Sequence, residues 1–62
     1  MKIIVLHDAV NPDQILPMDA EDFSAAWLQP NGSAIRLKDS DRELLVHEKT
    51  TEVLKIITEA LS

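Results

Sequence analysis

The stretch VHEKTTE, Val46 to Glu52, comes nearest in this chain to a catalytic pattern. Zinc hydrolases carry histidine at i and i+4 of a helix with glutamate at i+1, so that two imidazoles reach one metal and the carboxylate acts as base. His47 and Glu48 supply the first half, but Thr51 stands where the second imidazole is needed. The motif is absent. A looser ligand set would need His7-Asp8 and His47-Glu48, each closing a predicted strand, to sit on parallel neighbouring strands. Isolated histidines at strand ends are more often surface or hydrogen-bonded residues, so no metal is assigned. Ser24, Ser33, Ser40 and Ser62 have no base placed beside them by sequence logic, and one glycine is too few for a phosphate-cradling loop. The expectation is a non-enzymatic protein without a cofactor.

The elements that position these residues can be read from periodicity. Ile3, Ile4, Val5 and Leu6 form a short β-branched run that suits a buried strand. Asn11-Pro12-Asp13 reads as a turn, and Ile15 to Met18 as a short edge strand, because Pro17 cannot donate to a ladder on its outer side. In FSAAWLQPNGSAIRL the turn residues separate two alternating stretches. A three-residue loop closed by Gly32 places Gln29 opposite Ser33, Trp27 opposite Ile35 and Ala25 opposite Leu37, which keeps one face apolar. A two-residue Asn31-Gly32 turn would instead put Trp27 opposite Arg36. A second turn near Ser40-Asp41 pairs Lys38 with Glu43, Leu37 with Leu44 and Ile35 with Val46. The predicted inner face is Phe23, Ala25, Trp27, Ile35, Leu37, Leu44 and Val46, with Trp27 as its main core residue.

From Thr50 the period changes to 3.6. Val53, Leu54, Ile56, Ile57, Ala60 and Leu61 fall on one stripe of a helix that Thr50 would cap. A helix of this length is marginal alone and must pack on the sheet. The expected architecture is a single α+β domain over residues 1–62. It has a small, mainly antiparallel four-stranded sheet of β-hairpins, packed by one C-terminal amphipathic helix.

Sixty-two residues, 45% of them apolar, form only a small core. There are no cysteines, so disulfides are excluded and a homodimer is the expected supplement. The formal charge of -5 repels phosphate backbones and anionic lipid, which disfavours nucleic acid and membrane partners. The apolar run before His7 is too short for a membrane span or a signal segment, and a cytoplasmic protein is expected. Leu28, Leu45 and Ala26 on the expected outer face, together with Ile4 and Leu6, are the candidate contact residues, since exposing them would leave an apolar patch. Arg36, Lys38 and Arg42 are a candidate basic patch, partly neutralised by Asp39, Asp41 and Glu43 and without interleaved Phe or Tyr to stack bases.

Asn11, Pro12, Asp13 and Ile15, then Gly32, Ile35 and Leu37, then Val46, Glu48, Glu52, Val53 and Ile57 follow the layout of a known group. On these positions the chain resembles the small bacterial FlbD-like proteins associated with flagellar and swarming motility. The resemblance implies a small regulatory or accessory protein that acts by protein contact, with no catalytic residues to carry over. The N-terminal aliphatic strand and the VHE before a C-terminal helix are also similar to the carbon storage regulator family, intertwined dimers that bind RNA. That family's basic residues are not matched at Leu44, Leu45 or Lys49.

Overall fold

A computed structural model describes all of the chain, Met1–Ser62. Five strands precede one helix: β1 (Ile3–His7), β2 (Ile15–Asp19), β3 (Phe23–Gln29), β4 (Gly32–Leu37), β5 (Glu43–Val46) and α1 (Thr50–Leu61). A single 3-10 turn, Ala20–Asp22, leads from β2 into β3. The chain is α+β with antiparallel sheets and one C-terminal helix, but the expected four-stranded sheet is replaced by two smaller ones. β1 pairs with β2, and β3, β4 and β5 form a three-stranded sheet in that order. The two sheets are stitched at one corner, where Asp8 bridges Val46 antiparallel, His47 N–H donates to His7 O at 2.7 Å and Ala9 N–H donates to Leu45 O at 3.1 Å. Ile15 to Met18 does form an edge strand, with Pro17 opposite Val5.

The β3–β4 register departs from expectation by one residue. Gln29 pairs with Gly32, so the loop is Pro30-Asn31, and Trp27 faces Ala34 while Ala26 faces Ile35. A slip of one residue exchanges the two faces of a strand. Ala26 therefore turns inward, and Trp27 and Ala25 turn outward, against the inner-face assignment made from alternation. A bulge between Phe23 and Ala25 restores Phe23 to the inner side, opposite Leu37. Gly32 explains the shift, because it serves a close approach rather than the loop. At its φ of +143°, a Cβ would run into the Val46 carbonyl and lie 2.8 Å from that of His47.

β4 and β5 are offset by two residues from the predicted pairing, with Ser33 opposite Val46 and Ile35 opposite Leu44. Two residues preserve the facing, so Ile35, Leu37, Leu44 and Val46 remain inside. Lys38, expected opposite Glu43, instead donates its N–H to Asp22 O at 2.8 Å, and Arg36 takes the place opposite Glu43.

The core is built from Ile4, Leu6, Met18, Ala20, Ile35, Val46, Val53 and Ile57, with Phe23, Ala26, Leu37 and Leu44 packed around it. α1 closes this core from β1, β3 and the 3-10 turn. Its buried stripe is Val53 and Ile57, flanked by Ile56 and Ala60, whereas Leu54 and Leu61 lie outside it and are exposed. Lys49, not Thr50, is the N-cap, and no side chain caps the helix. Trp27 is half-buried and takes no part in the core, so the indole is not the main core residue that the alternation suggested. No helix is long and apolar enough to cross a membrane.

Candidate functional site

Two polar features and one apolar face stand out once the fold is in place. The first joins β1 to the start of α1. His7 donates its backbone N–H to Glu48 Oε1 at 3.0 Å, and its Nδ1 lies 2.6 Å from Glu48 Oε2. A carboxylate only accepts, so Nδ1 carries the proton in this contact. Ser33 Oγ donates to the backbone carbonyl of Glu48 at 2.7 Å and meets the Thr50 hydroxyl at 3.1 Å. Ser33 and Glu48 are both buried.

Burial pushes the Glu48 carboxyl upward and is the largest single influence on it. The His7 side-chain bond, the backbone N–H groups of His7 and Glu48 and the His7 charge together outweigh burial and hold the carboxyl below its ordinary value. His7 and Glu48 do converge, as the looser metal proposal required, but through antiparallel contact at one corner rather than parallel strands. No third His, Cys, Asp or Glu joins them in a metal-holding group. His47, one residue away in the chain, is exposed. Ser33 bonds the carbonyl of Glu48 and the imidazole bonds its carboxylate, so no hydroxyl is hydrogen-bonded to either histidine. The constellation ties strand, loop and helix together.

The second polar feature is a cleft of about 620 Å³ between the β3–β4 loop and the segment after β1. Val10, Pro12, Leu28, Asn31, His47 and Lys49 are among the residues that line it, and no carboxylate is among them.

The apolar face is the outward side of the β1–β2 hairpin. Ile4 and Leu6, expected as contact residues, point inward and are buried within the single chain. The outward positions belong to Ile3, 55% exposed, Val5, 47%, and Ile15, 56%, with Pro17 exposed beside them. Ile15 is opposite His7 and Pro17 opposite Val5, so these side chains share one face. Leu45 neighbours the buried Val46 on the opposite side of β5, faces outward and is 49% exposed. Leu28 lies at the cleft and is highly exposed.

Arg36, Lys38 and Arg42 are all exposed. Arg36 sits within β4 with its guanidinium 6.0 Å from the centroid of the Trp27 ring, while Lys38 and Arg42 belong to the β4–β5 loop. The contacts within ion-pair distance are those of the Met1 amino group with Glu21 and of the His7 imidazole with Glu48, so none of these three bases is paired with the acids beside it. Sequence reasoning missed Ile3, Val5 and Ile15 because Ile3 to Leu6 is apolar at every position, which hides the alternation that would reveal its faces. The Arg36–Trp27 contact was visible only in the rejected shorter-loop register, where those two residues were neighbours.

No protein-family model, no curated protein and no solved structure matches this chain.

Proposed function

We propose that the chain is a small, non-enzymatic accessory or regulatory module of the cytoplasm that works by protein contact, through the outward face of the β1–β2 hairpin. The observation that carries it is the run of Ile3, Val5 and Ile15 along one face of a paired ladder, with Val5 next after Ile3 on β1 and diagonal to Ile15 on β2, each about half exposed. Contiguous apolar surface on a rigid element is what protein partners use, and single scattered residues are not. The resemblance to FlbD-like proteins supports the same class of role, and the charge of -5 disfavours anionic partners.

The test is recovery of partners by the immobilised chain. Polypeptides bound by the wild type at high salt and after nuclease treatment should be lost with Ile3→Glu plus Val5→Glu, in a variant whose circular dichroism shows the native fold. Recovery that these substitutions leave unchanged, or that nuclease abolishes, overturns the proposal.

A second reading, a nucleic-acid-binding regulator, draws on Arg36, Lys38 and Arg42 being free of ion pairs and on the Arg36 contact with Trp27. It requires affinity for bulk RNA or DNA that falls steeply with salt and weakens on Arg36→Ala. No binding at low salt removes it.

A further inference from the structure

We propose that two copies of this chain join edge to edge through β3, antiparallel, so that their three-stranded sheets run into one continuous sheet. This goes beyond the role given to the β1–β2 face and uses a different surface.

The first observation is an accounting of backbone hydrogen bonds. β3 pairs with β4 on one side only. Over Ala25–Gln29 no backbone or side-chain hydrogen bond reaches any other part of the chain. The donors and acceptors along this edge are thus without a partner in the chain.

The second is that this edge carries neither charge nor proline. Proteins blunt exposed edges with charged residues, prolines, bulges, very short strands or a covering helix or loop. The other terminal strand, β2, has Pro17 at its centre and Asp19 at its end. β3 is the longest strand in the chain, at 7 residues, and FSAAWLQ contains neither a charge nor a proline. Its one irregularity, the bulge at Ser24, lies before Ala25–Gln29, which pair with β4 in unbroken register.

The occupant follows from charge and symmetry. Each copy carries -5, so two copies repel over most of their surfaces, and an uncharged strand that can pair with itself lets them meet without setting like charges against each other. A two-fold axis perpendicular to the sheet brings like faces together and requires opposed residues of equal parity. The register that uses all of Ala25–Gln29 places the axis at Trp27. Trp27 then meets Trp27 of the second copy, Ala25 meets Gln29, and Ala26 meets Leu28. Aromatic pairs are among the favourable cross-strand pairs. The pairing also covers Leu28, 74% exposed in the single chain, and enlarges a core that is small for an independent domain.

Light scattering across a concentration series should show the mass rising from 6.9 kDa toward twice that value. Emission of the lone tryptophan should shift to shorter wavelength in step with the mass. Ala25→Glu with Gln29→Glu sets like charges opposite each other across the axis and should weaken the dimer by about tenfold. Ala25→Glu with Gln29→Lys sets opposite charges there and should restore it. Circular dichroism of both variants verifies that each chain still folds. A mass that stays at 6.9 kDa at every concentration, or a dimer equally tight in both variants, overturns the proposal. Ile3→Glu plus Val5→Glu leaves this dimer intact, so the failure of one surface is separable from that of the other.

Discussion

Glu48 holds His7 at two points, accepting the backbone N–H at one carboxylate oxygen and the imidazole Nδ1–H at the other, across 41 positions of sequence. The contact joins the end of β1 to the residue just before the helix cap, where the two sheets also meet. Replacing Glu48 with alanine strands a backbone donor and an imidazole, and should cost about 2–3 kcal/mol. Glu48→Gln keeps an acceptor and the volume, and should cost about 1 kcal/mol. Urea unfolding of the two variants beside the wild type measures both.

The same carboxylate sets an acid limit on stability. Its folded value lies below the ordinary 4.5, so between the two values the unfolded chain binds more protons than the folded one. Its contribution is complete above 4.5 and disappears as pH falls through the folded value. Asp19 behaves alike, held below 3.8 by hydrogen bonds from the N–H groups of Glu21 and Lys2. Stability of the wild type should therefore decline on acidification below 4.5, and Glu48→Gln should decline less over that interval. Unfolding midpoints at a series of pH values give the comparison, and equal slopes would contradict it.

Gly32→Ala should be among the most damaging single substitutions. The added methyl meets the carbonyls of Val46, the last residue of β5, and of His47 just after it, and the φ of +143° is one that side chains rarely adopt. Backbone strain of this kind alone is on the order of 1–3 kcal/mol, before the collision is added. Thermal unfolding of Gly32→Ala is the measurement, and a stability equal to wild type would show that the β4–β5 contact is looser than described.

Ile35 and Trp27 separate the observed register from the one that alternation favours. Ile35 is fully buried and Ile35→Ala should cost about 2–5 kcal/mol. Trp27 lies outside the core, opposite Ala34 and beneath the Arg36 guanidinium, so Trp27→Ala should cost no more than about 1.5 kcal/mol at a concentration where light scattering gives the single-chain mass. The opposite order would place the indole inside.

Several features were legible in the residues themselves. The β-branched run at Ile3 to Leu6, the proline-marked edge strand and the change to helical period after Thr50 are local signals, and local signals set element type and the broad α+β class. Pairing is a different matter. Alternation in β3 was nearly as good with Trp27 outside as inside, because Ala25 and Ala26 are similar enough to serve either face. What settled it was the crowding of Gly32 against Val46 and His47, a contact between segments that only the assembled sheet brings together. The division into two sheets, the inward turn of Ile4 and Leu6 and the meeting of His7 with Glu48 have the same origin. Each depends on which strand lies beside which, and that choice is made by the summed burial of the whole core, a quantity no single stretch of the chain contains.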